Sequence, residues 1–313
     1  MIDDQGPSSA GHKLGQLVGD WFQDSFVTPL LREVADRLGL FLDHRTCERS
    51  ADVRGGKILW ADGDENHVDY DFVMELAGSP EKRGIPVAFL ECFWRRGARH
   101  SKDKARDDSG KLVPMRSTYP TARFLGIVAS GEFTRPAREL IDSRKINLLY
   151  VPKAKVIETF RNLGLEMDYD DRADEGTKLD IASRFGRELT AEVKKAAADS
   201  LRAILGETAV RSYVASVQAA LSSPPLEFEL VGHRLSRPMI FETVDALSDF
   251  LSASHPAFDF DDPGTRFSYR VNYSDGAEFE REVETMEELL KLHEQIAALA
   301  AHMADVLSGE RGL

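Results

Sequence analysis

One carboxylate inside an apolar run constrains this chain more than any other feature. Glu91 follows the uncharged stretch Ile85 to Leu90 and precedes Cys92, Phe93 and Trp94. Val, Phe and Ile in a short run bounded by Gly84 and the charged residues after Trp94 give it strand composition. An acid buried in such a strand is costly unless a cation or hydrogen-bond donors meet it. A second run, HVDYDFVMEL over 67–76, alternates with period two. Tyr70, Phe72, Met74 and Leu76 share one face, and Asp69, Asp71 and Val73 share the other. Two adjacent strands that aim carboxylates at one place make a seat for a hard divalent cation.

The stretch after Trp94 is strongly basic. Between Arg95 and Arg116 there are eight Lys or Arg against three Asp, in a chain whose formal net charge is -13. Net acidity argues against non-specific coating of nucleic acid. A basic island directly after an acid-bearing strand reads as a phosphate-facing surface, with Arg95, Arg96, Arg99, Lys102, Lys104 and Arg106 as its candidate contacts. The competing reading is a solvated charged helix.

The remaining patterning predicts an α/β chain in three parts: a core over 14–165, a helical extension over 166–223 and a C-terminal α+β module over 224–313. Residues 1–13 are expected to be disordered. An amphipathic helical region over 14–40 is expected to be divided by a cap at Thr28 and Pro29. Strands at 57–61, 67–76 and 86–94 suit an antiparallel meander, whereas the continuously apolar 122–130 and 146–152, each followed by a helical pattern, suggest parallel pairing. The Ser-Ser-Pro-Pro stretch at 222–225 marks the last boundary. Beyond it, 225–251 and 266–292 share the order strand, turn, strand, helix, with Ile240, Val244, Leu247 and Phe250 spaced like Phe279, Val283, Met286 and Leu289. This predicts a strand-strand-helix duplication whose halves pack on one another. A terminal helix of about 25 residues is longer than a small module needs, which suggests docking onto the core or a second subunit. Two cysteines without metal spacing, an acidic N-terminus and apolar runs far short of the roughly 18 residues of a membrane span predict a cytoplasmic protein.

A phosphodiester is hard to attack because it is anionic and its alkoxide leaves poorly. A divalent cation held by two carboxylates neutralises the phosphate and lowers the pKa of a water, and a nearby Lys or Arg offsets the charge of the transition state. Here the metal-ligand candidates are Glu91 with Asp69 or Asp71, and Asp71 is favoured by the strand-like Phe72–Val73–Met74 after it. His67 could orient a water but reads rather as a turn histidine, and Glu33 could reach the acidic centre but reads rather as a solvated acid. The bland alternative pairs the carboxylates with the basic island. A nucleoside-triphosphate enzyme is disfavoured, since no GxxxxGK[ST] loop occurs.

Over about residues 14–163 the layout resembles the PD-(D/E)XK nuclease superfamily, which includes many type II restriction endonucleases. That resemblance implies a restriction-endonuclease-like mixed sheet flanked by helices and cleavage of double-stranded DNA with Mg2+, for which Mn2+ can substitute. The family signature places an Asp at the head of the second core strand, where Asp71 stands, and Glu-X-Lys on the third, where Glu91 stands. The chain departs from it at Phe93, two positions after Glu91. Members that carry the lysine on the following helix point to Lys102 or Lys104 as its replacement. The expected function is a metal-dependent, restriction-type DNA endonuclease acting as a homodimer. The alternative is a catalytically inactive DNA-binding or assembly protein on the same scaffold.

Overall fold

The structure, a computed structural model, describes residues 10–170, 172–232, 238–253 and 266–309. Helix α1 (Ala10–Trp21), a wide π-turn over Phe22–Val27 and α2 (Thr28–Arg37) run on from one another. Ala10 to Lys13, expected to be disordered, belong to α1. The expected cap at Thr28 is also corrected: Thr28 is helical, and its backbone N–H and its hydroxyl both donate to Gln23 O, the hydroxyl at 2.8 Å. Pro29 lacks an N–H and its ring would crowd the carbonyl four residues back in a regular α-helix. The wider turn just before it admits the ring without ending the helix.

Strands β1 (Phe41–His44), β2 (Leu59–Ala61), β3 (His67–Asp69), β4 (Phe72–Leu76) and β5 (Ile85–Arg95) come next. After them are α3 (Ser101–Thr118), β6 (Phe124–Gly131), α4 (Arg135–Ser143), β7 (Asn147–Pro152) and α5 (Lys153–Arg161). Five strands form one sheet in the order β1-β4-β5-β6-β7, with β1 antiparallel to β4 and β6 parallel to β7. The apolar runs at 122–130 and 146–152 are therefore the parallel pair. The run 67–76 is not one strand: β3 pairs with β2 in a separate two-stranded ribbon, and the chain bends before β4. Local bonds explain the break. Ile58 N–H donates to Asp69 Oδ1 at 3.0 Å and Ile58 O accepts Tyr70 N–H at 3.1 Å, so the ribbon closes at Tyr70.

Three helices continue the chain, α6 (Glu175–Glu188), α7 (Ala191–Leu205) and α8 (Glu207–Ser222). The C-terminal part contains β8 (Pro225–Gly232), β9 (Met239–Phe241), α9 (Val244–Ser252), β10 (Phe267–Tyr273), β11 (Glu278–Val283) and α10 (Met286–Ser308). Its four strands make an antiparallel sheet in the order β11-β10-β8-β9. Most of the turn expected between β8 and β9, residues 233–237, lies outside the described residues. The architecture is thus a mixed sheet flanked by helices with a smaller C-terminal α+β module.

By contacts the chain groups into two compact units, one of Met1–Val34, Leu90–Gly110 and Gly126–Ala215, the other of Ala35–Phe89, Lys111–Leu125 and Ser216–Leu313. In the first, Trp21 packs edge-on against Phe160 at 4.5 Å, Phe160 against Phe185 at 4.9 Å, and Trp21 Nε1 donates to Lys194 O at 3.0 Å. In the second, Trp60 meets Phe89 at 5.8 Å and Tyr119 at 5.5 Å. The C-terminal core of that unit gathers Phe228, Leu230, Tyr269, Val271, Leu289 and Leu292. No helix among the described residues is long and apolar enough to cross a membrane.

Candidate functional site

Glu91 lies on β5 with 3 % of its surface exposed. Strand alternation puts Glu91 and Phe93 on the same face of β5. Phe93 packs against Phe133 with ring centres 5.3 Å apart, and the Lys104 amine stands 5.2 Å from the Phe93 ring centre. Helix α3 therefore delivers an amine to the strand position two residues beyond Glu91. Lys104 Nζ donates to Asp108 Oδ1 at 2.6 Å, and Asp108 is fully buried. Beside it, Ser109 Oγ donates to Ala105 O and accepts from Arg144 Nη1 at 2.7 Å. Lys102, on the same helix, is exposed. Asp108 is not among the residues that the sequence singles out, although its spacing of four from Lys104 on a helix is a usable signal.

Asp71 is half-buried at the bend that immediately precedes β4. Asp69 sits on β3, where its Oδ1 accepts the Ile58 N–H and its Oδ2 lies 3.7 Å from Lys57 Nζ. The alternation expected to put both aspartates on one strand face thus stops at Tyr70. A further cation reaches this bend, with Lys111 Nζ 3.5 Å from Asp69 O and Tyr70 Oη donating to Lys111 O at 2.9 Å. Lys111 belongs to the basic island, but nothing in its local sequence sets it apart there. His67 is exposed. Glu33, expected to be solvated, accepts from Arg202 Nη2 at 2.8 Å.

The rest of the basic island divides by environment. Arg99 and Arg106 are exposed, and Arg106 makes a long contact to Asp103 at 3.5 Å. Arg95 is half-buried, and its carbonyl accepts Glu132 N–H at 2.8 Å. A Cβ on Gly131 would sit 1.8 Å from that same carbonyl, and Gly131 has φ +103°, so β6 can pass the end of β5 only with glycine there. Arg96 donates through Nη1 to Asp168 at 2.8 Å and through Nη2 to Tyr169 O.

A buried ionic cluster has no counterpart in the sequence pattern. Arg49 donates through Nη2 to Glu75 and lies 3.2 Å from Asp43, and Arg54 Nε donates to Asp43 at 3.0 Å. Arg49 Nη1 also donates to Ser79 O at 2.7 Å and Lys82 O at 2.9 Å, and Glu75 accepts the Gly84 N–H at 2.6 Å. Burial pushes the Glu75 carboxyl up, against the pull of Arg49 and the Gly84 amide. Two guanidinium groups answering two carboxylates make this a structural clamp rather than a cation seat. Among the described residues, no group of three or more His, Cys, Asp or Glu is arranged to hold a metal ion.

No family model matches the chain, and no curated protein matches it. Among solved structures, the crystal structure of a protein of unknown function is similar over 64% of this chain and 96% of that chain, at 17% identity and a TM-score of 0.28.

Proposed function

We propose that the chain is a metal-dependent DNA endonuclease of the PD-(D/E)XK type, acting in restriction as a homodimer on double-stranded DNA. One observation carries this reading: the Lys104 amine stands over the ring of Phe93, where that family carries its lysine. Two placements support it. Asp71 immediately precedes β4, second in the order of the five-stranded sheet, and Glu91 lies on β5, third in that order.

Asp71 and Glu91 would hold the cation, with Asp69 as the alternative to Asp71. Hard carboxylate oxygens suit Mg2+ or Mn2+, and Mg2+ commonly binds through one or two carboxylates while keeping several waters. When bound, such an ion neutralises the scissile phosphate and lowers the pKa of a water. Lys104, held by Asp108, would offset the negative charge that builds up on the phosphate in the transition state. Arg95, Arg99, Lys102 and Arg106 would contact the DNA backbone without reading bases. The strand-strand-helix duplication belongs to the same reading, supported by the element order β8-β9-α9 and β10-β11-α10. Ile240 is 58% exposed while Phe279 is buried, so the halves would have diverged on their second strands.

The test is cleavage of double-stranded DNA by the purified chain in Mg2+ or Mn2+. Glu91→Gln should lower cutting by roughly a thousandfold or more with an unchanged circular dichroism spectrum. Cutting retained in that variant refutes the site. Phe93 favours a second reading, a catalytically inactive DNA-binding or assembly protein on the same scaffold. It expects metal-independent binding and no nicking by the unmodified chain.

A further inference from the structure

The segment after α5 folds back onto cations at the exit of β5. Asp168 Oδ1 accepts from Arg96 Nη1 at 2.8 Å and lies 3.7 Å from the amine of Lys153, the first residue of α5. The Arg96 guanidinium is stacked on the Tyr169 ring, 3.6 Å from its centre, and also donates to Tyr169 O. These contacts cover the cations: the side chains of Arg96 and Lys153 are only 16% and 18% exposed, whereas Arg99, Lys102 and Arg106 stand open. The covering carboxylate itself is 37% exposed. Partial burial pushes the Asp168 carboxyl up, but the Arg96 hydrogen bond and the charges of Lys153 and Arg96 outweigh it and hold the group below the usual carboxylate range. Asp168 is therefore an anion resting on a guanidinium and an ammonium, the partners a backbone phosphate takes.

We propose that Arg96 and Lys153 form a subsite for a nucleic-acid backbone phosphate, and that Asp168 and Tyr169 fill it in the free protein as a displaceable strap. The proposal rests on the nucleic-acid reading above and adds a regulation to it. A carboxylate one-third exposed makes an ion pair that salt screens and an incoming polyanion can replace. A phosphate offers more acceptor oxygens to the same donors. If the pair only anchored the segment, its loss would cost stability and leave affinity for DNA where it was.

The experiment compares binding of a 30-base-pair DNA duplex, without divalent metal, by the unmodified chain, Asp168→Asn and Asp168→Asn combined with Arg96→Gln, across a salt series. Asp168→Asn should bind about tenfold tighter, with a salt slope steeper by about one phosphate contact, and the double variant should lose that gain. Hydrogen exchange on the unmodified chain gives a readout independent of any variant's folding. Saturating DNA should speed exchange of the amides of residues 166–170. Equal or weaker binding by a folded Asp168→Asn, or slowed or unchanged exchange of that segment while DNA is bound, overturns the strap. Failure of the unmodified chain and of Asp168→Asn to bind DNA at low salt overturns the nucleic-acid reading and the strap together, a result distinct from failure of the strap alone.

Discussion

Lys102 and Lys104 are two residues apart on α3, yet one side chain meets solvent and the other meets Phe93 and Asp108. They should separate experimentally. If the chain is the proposed nuclease, Lys104→Met is expected to lower cleavage by at least about a hundredfold while DNA affinity changes only a few-fold, because its amine would serve the transition state. Lys102→Met should leave the single-turnover rate alone and flatten the salt dependence of binding. Loss of cutting from Lys102→Met with none from Lys104→Met would assign the roles the other way. Elsewhere, Arg49→Ala should destabilise the fold by about 3–5 kcal/mol in urea denaturation, since it leaves buried Glu75 without its cation and Asp43 with Arg54 alone. A change below about 1 kcal/mol would show that the cluster is not the clamp described.

How far the site can be read from the chain differs from residue to residue. Glu91 is legible because an acid in an unbroken apolar run stands out without any knowledge of its neighbours. Glu75 is not, because in an alternating run it passes for an outward residue. Its partner Arg49 lies 26 positions earlier, in a loop whose path no local pattern reveals. The Arg96–Asp168 pair spans 72 positions and is hidden for the same reason.

At the level of elements, the continuous apolar runs are the safest guides: 122–130 and 146–152 become the parallel pair β6 and β7. The break at Tyr70 is illegible because the alternation of Asp69 and Asp71 continues straight across it. What ends β3 is a side chain capturing the Ile58 amide, a choice made by geometry rather than composition. In the C-terminal module, Arg270 sits on the outer sheet face among Glu229 at 2.9 Å, Glu278 at 2.8 Å and Glu280 at 3.1 Å. That acidic face is a poor surface for DNA. On the inner side, His293 joins α10 to β10 and α9 through Tyr269 Oη at 3.1 Å and Ser248 Oγ at 2.9 Å. Burial depresses the His293 pKa, only partly offset by the Val244 backbone and the charge of Glu294. The unfolded chain takes up this proton near pH 6.5 and the folded chain only at lower pH, so the stability His293 contributes is present above about pH 6.5 and is lost as pH falls below it. Thermal melts between about pH 5 and 7 should show that loss, and His293→Gln should reduce the slope. An unchanged slope would place the proton uptake elsewhere.

For the molecule as a whole, a net charge of -13 leaves the basic island as the favourable approach for a polyanion. Cutting both strands of a duplex calls for two active sites, which two copies of the chain would supply. Sedimentation equilibrium should therefore give twice the chain mass of 34.9 kDa, and a monomer at all concentrations would remove the dimer from the proposal. The π-turn at Phe22–Val27 has a consequence of its own. A turn closed one residue late adds a position to the helix and so advances every later side chain by about 100° around the axis. Leu30, Leu31 and Val34 face inward on that setting, and Arg32 faces out. The spare position works as a phase shim, and shortening it by one residue would turn Arg32 into the buried position Leu31 now holds and Leu30 into the exposed position of Pro29, without altering a single amino acid beyond it.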